Sequence, residues 1–181
     1  MILMSITPWK ILESSYIRPR VRIDKCELAN GKVFEPMVFE FRRWANVFAL
    51  TEKNEVVMIR QYRHGVQNIV WEFPGGIVED GESIEAGARR ELLEESGYAV
   101  SGLIEVGRIN PNPANHTNTL YAFLATGATL VQEQHLDEAE EIEVHLIPLE
   151  EVIAMGKRGE IPNALQVAVL FHVLAHMNRI G

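Results

Sequence analysis

Residues 75–98 constrain the fold of this 181-residue chain more than any other segment does. Their sequence is GGIVEDGESIEAGARRELLEESGY. The Glu-Asp-Gly at 79–81 predicts a turn, and Ser83 is a residue type that helices favour at the N-cap. Gly97 suits the position just after a helix, where the backbone is often left-handed. The segment therefore predicts a glycine loop followed by a helix that begins after Ser83 and ends at Gly97.

The last turns of this predicted helix carry a concentration of negative charge. At about 100° per residue, Glu91, Glu94 and Glu95 lie on one face. Like charges four residues apart destabilise a helix, and carboxylates near its C-terminus oppose the macrodipole. One explanation is a solvated acidic face paired with Arg89 and Arg90. The other is a bound cation, because clustered carboxylate oxygens are the ligands that Mg²⁺ and Mn²⁺ prefer.

The spacing of these residues is specific. Gly76 is followed by five residues, then by Glu82, by seven more residues, and by Arg-Glu-Leu-Leu-Glu-Glu-Ser-Gly-Tyr at 90–98. This arrangement resembles the Nudix box, and the chain is therefore similar to members of the Nudix hydrolase superfamily. Tyr98 departs from the aliphatic residue usual at that packing position. The resemblance implies a phosphoanhydride hydrolase that uses a divalent metal ion and acts on a nucleoside diphosphate linked to another group.

The resemblance also implies a metal site in this segment. The implied ion is Mg²⁺, with Mn²⁺ as the alternative. The implied metal ligands are the Gly75 carbonyl, Glu91 and Glu95, with Glu94 and Glu82 near them. Arg90 is implied to pair with Glu82 and to orient the box rather than to touch the substrate.

A second acidic segment, HLDEAEEIEV at 135–144, precedes a predicted strand. Runs of acids are usually solvated loops, but this one resembles the catalytic loop of the family. Matching Asp-Glu-Ala-Glu at 137–140 to that loop implies Glu138 as the general base and Glu140 as a further metal ligand. Glu94 remains the alternative base.

Arginines flank an aromatic residue at the end of a predicted strand. Arg60 and Arg63 lie on either side of Tyr62, and guanidinium groups bind phosphate oxygens in a bidentate way. Surface arginines are the alternative. The sequences QYR at 61–63 and WEFPGG at 71–76 resemble the ADP-ribose pyrophosphatase branch of the family, which includes nucleoside diphosphate sugar hydrolases. This resemblance gives Arg63 a phosphate-binding role and places Glu72 near the substrate or a partner subunit.

The loop at 108–118 is rich in asparagine and proline, which predicts a rigid polar connection. The branch has a Ser-Pro-Gly-type sequence here, so the departure leaves the sugar or terminal group of the substrate open. His116 is a candidate phosphate contact, and an exposed loop histidine is the alternative.

Residues 1–44 predict a small antiparallel sheet. Strands are predicted at 9–16, 21–28 and 32–41, and the Asn-Gly at 30–31 predicts a hairpin between the last two. Exposed sheet edges are often covered by a second subunit. We therefore expect this region to form a homodimer, as the resemblance also implies.

Residues 45–181 are predicted to form one compact unit. Strands are predicted at 45–50, 56–61, 104–107, 120–126 and 142–147. Helices are predicted after Gly81, at 148–152 and at 165–176. This order predicts an α+β fold with a mixed sheet between helices. The resemblance specifies the Nudix α/β/α sandwich, preceded here by the small N-terminal sheet.

The overall composition excludes several protein classes. The formal net charge of −8 argues against a protein that coats nucleic acid. A single cysteine excludes an internal disulfide framework. The opening MILMSITPW lacks the basic start of a signal peptide, and no apolar run is long enough to span a membrane. A cytoplasmic protein with no membrane or nucleic-acid partner is expected.

Three functions from different classes remain open. The first is metal-dependent hydrolysis of nucleoside diphosphate sugars, such as ADP-ribose or GDP-mannose, to a nucleoside monophosphate and a sugar phosphate. The second is a Nudix hydrolase of (deoxy)nucleoside di- or triphosphates. The third is a non-catalytic nucleotide-sugar sensor, which is expected to have lost at least one of Glu91, Glu94 and Glu95. All three glutamates are present.

Overall fold

The computed structural model describes residues 10–18, 20–137 and 140–180, without the side chains of Ile17 and Arg18. Trp9, the predicted start of the first strand, and Glu138, the predicted general base, lie outside the described residues. The chain divides into two compact units, residues 1–41 with 110–118, and residues 42–109 with 119–181.

The segment 110–118 differs in its unit from the predicted division after residue 44, which assigns it to the larger unit. It belongs to the smaller unit, although it is distant in sequence from the rest of that unit. The Phe39 amide donates to the Asn115 carbonyl at 2.8 Å, and the Thr117 amide donates to the Phe39 carbonyl at 3.1 Å. Hydrogen bonds of this kind join segments that sequence patterns treat separately.

The described residues of the smaller unit form a four-stranded antiparallel sheet. Its strands are β1 (Lys10–Arg18), β2 (Val21–Glu27), β3 (Val33–Phe34) and β4 (Met37–Phe39), and β2 pairs with the other three. The predicted hairpin is confirmed, with Gly31 at φ 80°. The predicted continuous strand at 32–41 is wrong. It is interrupted at Pro36, which has no amide hydrogen to donate to a sheet.

The described part of the larger unit contains a seven-stranded mixed sheet and a separate two-stranded sheet. The strands are β5 (Trp44–Leu50), β6 (Glu55–Arg63), β7 (Asn68–Glu72), β8 (Gly75–Ile77), β9 (Tyr98–Ala99), β10 (Gly102–Ile109), β11 (Leu120–Thr126), β12 (Thr129–Leu130) and β13 (Ile142–Pro148). The main path is β10-β11-β5-β6-β13, with β7 paired to β6 and β8 paired to β5. The β11–β5 pair is parallel, and the other pairs are antiparallel.

Helices cover both faces of the larger sheet. They are α1 (Ile84–Ser96), α2 (Leu149–Arg158) and α3 (Ala164–His176). Strand β5 supplies both cores, because Phe48 packs in the cluster with α2 and α3, whereas Val47 packs with α1. Burial on both faces explains why β5 is almost continuously apolar. The predicted α+β sandwich with a mixed sheet is confirmed. Within the described residues, the model has no helix with the length and apolar character that a membrane span requires.

Both predicted ends of α1 are confirmed. The Ser83 hydroxyl accepts a hydrogen bond from the Ala86 amide at 3.1 Å. Gly97 has φ 76°, and its amide donates to the Leu93 carbonyl at 2.8 Å. A Cβ on Gly97 would lie 2.3 Å from the Gln132 carbonyl oxygen, so the segment after β12 packs directly on the end of the helix.

Replacing Gly97 with alanine tests how closely this segment packs on α1. The matched control is Gly159, which ends α2 at φ 74° with no atom within 4 Å of an added Cβ. Gly159→Ala is expected to lower the free energy of unfolding by about 1 kcal/mol, the cost of left-handed backbone. Gly97→Ala is expected to cost about 1–3 kcal/mol more because of the overlap with Gln132. Urea unfolding measures both losses, and equal losses would contradict this packing.

Candidate active site

A cavity of about 820 Å³ opens in the larger unit. It is bounded by the last turns of α1, the β6–β7 hairpin, β8, the segment before β13, and the first turn of α3. Among the predicted site residues, its wall includes Arg63, Glu72, Gly75, Arg90, Glu91, Glu94, Glu95 and Glu140. The structure therefore brings most of the predicted site together from distant parts of the chain.

Gly75 forms the tightest part of this wall. Its φ is 154°, and a Cβ there would lie 2.1 Å from the Ala45 carbonyl oxygen and 2.7 Å from the Asn46 Cα. A side chain would therefore collide with the neighbouring strand β5. The Gly75 amide donates to Oε2 of Glu95 at 2.6 Å, which fixes this carboxyl group against the glycine turn.

Glu95 is a buried acid, with 4% of its surface exposed. Burial raises the pKa of Glu95 to about 8, against the opposing effect of the Gly75 amide. The negative charges of Glu91 and Glu140 add to the rise, and Arg63 reduces it. The site thus holds a carboxyl group whose ionised form needs more positive charge than the described residues supply.

Glu91 lies one turn earlier on α1. Burial raises the pKa of this carboxyl, Arg90 opposes the rise, and Glu94 and Glu140 add to it. A Cβ on Gly76 would lie 2.7 Å from Oε2 of Glu91, so the missing side chain at this glycine leaves room for the carboxylate.

Arg90 connects the acidic side chains to the loop before α1. Its guanidinium donates to Glu91 and Glu94, each at 2.9 Å, and to the Ile77 carbonyl at 2.9 Å. It also donates to both oxygens of Glu82, at 3.1 and 3.2 Å. The pairing expected between Arg90 and Glu82 is present in the structure.

Glu82 does not line the cavity among the described residues. Its Oε2 also accepts from the Glu79 amide at 3.0 Å, and the Arg90 contact lowers the pKa of this carboxyl. Both oxygens are therefore engaged in joining the loop to the helix. The structure gives Glu82 a contact that orients Arg90, and its predicted place near the metal ion stays a prediction.

Arg63 and Glu72 form an ion pair at another part of the wall. Glu72 is 1% exposed, whereas the Arg63 side chain is 49% exposed. Oε2 of Glu72 accepts from Nε and Nη2 of Arg63 at 2.9 and 2.6 Å. The buried acid thus holds an arginine that faces the cavity, and the predicted phosphate contact of Arg63 stays a prediction.

Arg60 and His116 lie elsewhere. The Arg60 guanidinium stacks 5.2 Å from the Trp71 ring centroid and is 3.4 Å from Glu143. Positions 60 and 63 are an odd number of residues apart on β6, so their side chains project from opposite faces. His116 belongs to the smaller unit, where its ring packs edge-on to Phe41 at 4.8 Å. Neither residue is among those that line the cavity.

Residues after β12 return to the end of α1 and complete the wall. The His135 amide donates to the Glu94 carbonyl at 2.8 Å, and Nε2 of Gln134 donates to the Glu95 carbonyl at 2.6 Å. The C-terminal carbonyls of a helix lack partners within the helix, and this segment supplies them. It thereby carries His135, Asp137 and Glu140 to the cavity.

Several cavity residues were not predicted as site residues. They are Trp44, Asn46, Val66, Asn68, His135, Asp137, Asn163, Leu165 and Gln166, among others. His135 and Asp137 lie within the acidic segment that the sequence analysis singled out. The only sequence signal for Asn163 is that it precedes an apolar helix, as an N-cap does.

The chemistry of the donor set fits Mg²⁺. The acids Glu91, Glu95 and Glu140 offer hard oxygen ligands. The negative charge of Glu140 helps to raise the pKa of Glu91 and of Glu95, and the charge of Glu91 also helps to raise that of Glu95. Among residues 10–18, 20–137 and 140–180, no three His, Cys, Asp or Glu side chains converge as a group that holds a metal ion by itself. Mg²⁺ is commonly bound by one or two carboxylates together with waters and substrate phosphates.

A mixed sheet between helices, with a glycine turn against an acidic helix end, defines the class of this protein. Residues 40–166 match the model of the NUDIX domain, and the chain belongs to the Nudix family. The predicted Nudix hydrolase class is thereby confirmed, and the predicted branch that contains ADP-ribose pyrophosphatases is supported by sequence relatives.

Individual relatives agree with this assignment. The chain is 29% identical over 143 residues to an ADP-ribose pyrophosphatase of Bacillus subtilis, a match that covers 78% of this chain and 77% of that protein. It is 32% identical over 130 residues to a GDP-mannose pyrophosphatase of Cronobacter sakazakii, with coverages of 67% and 68%. The crystal structure of an ADP compounds hydrolase shares the fold, with a TM-score of 0.85, 22% identity, and coverage of 98% of this chain and 100% of that chain.

The raised pKa of Glu95 predicts a pH-dependent stability in the metal-free protein. An unfolded glutamate has a pKa of about 4.3, and the folded value is about 8. The folded state therefore binds more protons between these pH values, and its stability falls as the pH rises through this window.

Replacing the acid with an uncharged amide tests this effect. In the presence of a chelator at pH 8, Glu95→Gln is expected to raise the free energy of unfolding by about 1–3 kcal/mol, with a smaller gain at pH 5. Glu85→Gln, in the exposed first turn of the same helix, is the control and is expected to change stability little at either pH. Thermal unfolding at several pH values measures the effect. If Glu95→Gln raised the free energy of unfolding equally at pH 5 and pH 8, this would contradict the raised pKa of Glu95.

Proposed function

We propose that this protein hydrolyses the pyrophosphate bond of nucleoside diphosphate sugars in a Mg²⁺-dependent reaction, releasing a nucleoside monophosphate and a sugar phosphate. One observation carries the proposal. The acids Glu91, Glu95 and Glu140 share a cavity with the half-exposed guanidinium of Arg63. A pyrophosphate needs cations at its oxygens, and this cavity offers an acidic surface for metal ions together with a fixed arginine.

The ligands of about one to three metal ions in this proposal are Glu91, Glu95, Glu140 and the Gly75 carbonyl. Mg²⁺ bound there, or Mn²⁺ as the alternative, supplies charge neutralisation of the phosphates and a lowered pKa of a bound water. The Gly75 amide keeps Glu95 in place, and Arg90 keeps Glu91 and Glu94 in place, so the acids are oriented before the substrate arrives.

Side chains of the protein bind the phosphates and accept a proton from the attacking water. Arg63 binds a phosphate oxygen while Glu72 fixes the direction of its guanidinium. Glu138 accepts a proton from the attacking water, and Glu94, which lines the cavity, is the alternative base. Water attacks one phosphorus, and the bond from that phosphorus to the bridging oxygen breaks.

The size and lining of the cavity favour a substrate larger than pyrophosphate. A volume of about 820 Å³ lies in the range of small-molecule sites, about 300–1,000 Å³. Trp44, Val66 and Leu165 supply apolar surface, and Asn68 supplies a polar amide. Such a wall suits a base and a sugar on either side of the phosphates. The relatives named for ADP-ribose and GDP-mannose make these two compounds the favoured candidates.

A homodimer through the smaller unit is part of this proposal. Strand β1 is an edge strand among the described residues, and it pairs with β2. Ile11 and Tyr16 on β1 expose 55% and 63% of their surface. An edge strand with exposed apolar side chains is suited to pairing with a second subunit. The cytoplasmic location stays a prediction from the sequence.

A substrate panel tests the proposed reaction. ADP-ribose, GDP-mannose, ADP-glucose, GDP and dGTP are incubated with the protein and Mg²⁺, and the products are separated by ion-exchange chromatography. At least one of the sugar compounds is expected to give a nucleoside monophosphate and a sugar phosphate faster than GDP or dGTP reacts. Glu95→Gln is the control and is expected to lose Mg²⁺-dependent turnover. Faster hydrolysis of dGTP would favour the nucleoside triphosphate alternative, and the absence of any turnover would favour the sensor.

Arg63 and Arg60 form a matched pair for testing the phosphate contact. Arg63→Ala is expected to raise KM about tenfold, because a hydrogen bond to a charged group contributes about 1.5 kcal/mol or more. Arg60→Ala is expected to change KM less than about twofold, because Arg60 lies outside the cavity wall. Should Arg63→Ala lose its fold through the unpaired Glu72, Arg63→Lys keeps the charge and removes the bidentate geometry. Equal KM values for the two positions would reject the role of Arg63.

A further inference from the structure

Two amide side chains at the N-terminal end of α3 form hydrogen bonds at the end of β7, where Glu72 binds Arg63. Nδ2 of Asn163 donates to Oε1 of Glu72 at 2.8 Å. One turn later, Oε1 of Gln166 accepts from the Phe73 amide at 2.9 Å. The N-terminal end of α3, with its N-cap Asn163, therefore contacts the last residue of β7 and the residue after it, from more than ninety positions away in the sequence.

Glu72 is held at both of its oxygens. Oε2 accepts from Gln61 at 3.0 Å and from two nitrogens of Arg63. Oε1 accepts from Asn163. A carboxylate bound through one oxygen can still rotate about its terminal bond, whereas a donor at the second oxygen stops this rotation. Asn163 therefore restricts the one degree of freedom that the contacts to Oε2 leave.

The orientation of Glu72 determines the orientation of Arg63. The guanidinium uses its Nε–Nη2 edge for Glu72, which directs its Nη1 side away from this carboxylate. Half of the side chain is exposed, and it lines the cavity. Small rotations of the carboxylate would therefore be passed to the part of the guanidinium that an anion in the cavity would meet.

We propose that Asn163 is a positioning residue that sets the direction of the Arg63 guanidinium through Glu72. The inference rests on the proposed function, because it assumes that Arg63 binds a phosphate oxygen of the substrate. The same side chain also caps α3, since Oδ1 of Asn163 accepts from the Leu165 amide at 3.0 Å. The beginning of α3 and the cationic side of the site are thereby fixed by one residue.

Two substitutions separate the positioning role from the capping role. Asn163→Ser keeps a capping oxygen and removes the donor to Glu72. Asn163→Asp also keeps the cap, but it places a second carboxylate against Glu72. Asn, Asp and Ser are nearly equal as N-caps, so the stability of α3 is expected to change little through the cap. Far-UV circular dichroism of each variant checks that α3 still forms, and thermal unfolding measures the separate cost of changing the contact with the buried Glu72 oxygen.

The kinetic test uses Mg²⁺ and the nucleoside diphosphate sugar that the substrate panel shows to be hydrolysed fastest. Asn163→Ser is expected to raise KM about three- to tenfold, the loss that corresponds to one hydrogen bond, with kcat changed less than about twofold. Asn163→Asp is expected to raise KM further. In an Arg63→Lys background, Asn163→Ser is expected to add no more than about 1.5-fold, because residues that act through one shared contact are not additive. An equal rise in both backgrounds, or no rise in either, would overturn the proposal.

A measurement without substrate keeps the inference separate from the proposed function. The ¹⁵N–¹H resonance of Arg63 Nε, assigned by its absence in Arg63→Lys, reports the contact with Glu72 in the free protein. It is expected to shift and to exchange faster with water in Asn163→Ser. If none of the nucleoside diphosphate sugars is hydrolysed, the proposed function fails, and if Arg63→Lys leaves KM unchanged, the phosphate role of Arg63 fails. In either case this resonance still decides the inference. An unchanged resonance in Asn163→Ser would overturn it.

Discussion

The hydrogen bond from the Gly75 amide to the Glu95 carboxyl joins the two elements that make the site. It links the helix end to the strand turn at 2.6 Å, and the turn itself lies against the Ala45 carbonyl of the central sheet. A residue with a Cβ at position 75 would move the turn away from the sheet. The position of the buried acid is therefore determined by close backbone packing, and the remaining acids are arranged around it.

The acidic helix end combines the two explanations that its sequence allowed. Arg90 pairs with Glu82, Glu91 and Glu94, as an ion-paired acidic face requires. Glu95 lies beyond this network and is buried, and its pKa is raised rather than lowered. The ion pairs thus orient the carboxylates of Glu91 and Glu94. Additional positive charge would stabilise the ionised form of the buried Glu95. Both features arise from one helix because the adjacent residues Glu94 and Glu95 lie about 100° apart around its axis, so the Glu94 side chain is partly exposed whereas Glu95 is buried.

Local sequence signals predicted the parts of the fold that depend on neighbouring residues. The capping roles of Ser83 and Gly97 were predicted because each cap is formed within a few positions. The short strands β8, β9 and β12 were not predicted, since two or three residues are too few to show an alternating pattern. Strand β7 was not predicted because its sequence, NIVWE, does not alternate between apolar and polar residues.

The candidate site likewise contains residues that local sequence patterns predict and contacts that they do not predict. The acids of α1 follow from a specific spacing, whereas Arg60 and Arg63, which are close in sequence, project from opposite faces of β6. The contact of Asn163 with Glu72 spans 91 positions, and no local pattern encodes it. Such contacts can be identified only from the three-dimensional arrangement of the sheet and α3.

Side chains alternate between the two faces of the sheet along β6, and this alternation restricts which length changes the β5–β6 hairpin can tolerate in evolution. Loss or gain of one residue inside the strand would turn Arg63 to the opposite face, towards the side that Arg60 occupies now. The connecting turn at 51–54 carries no such restriction, because extra residues there leave the pairing of β5 with β6 in register. Length variation among descendants of this chain is therefore expected to accumulate in the turn, while the strand keeps its length.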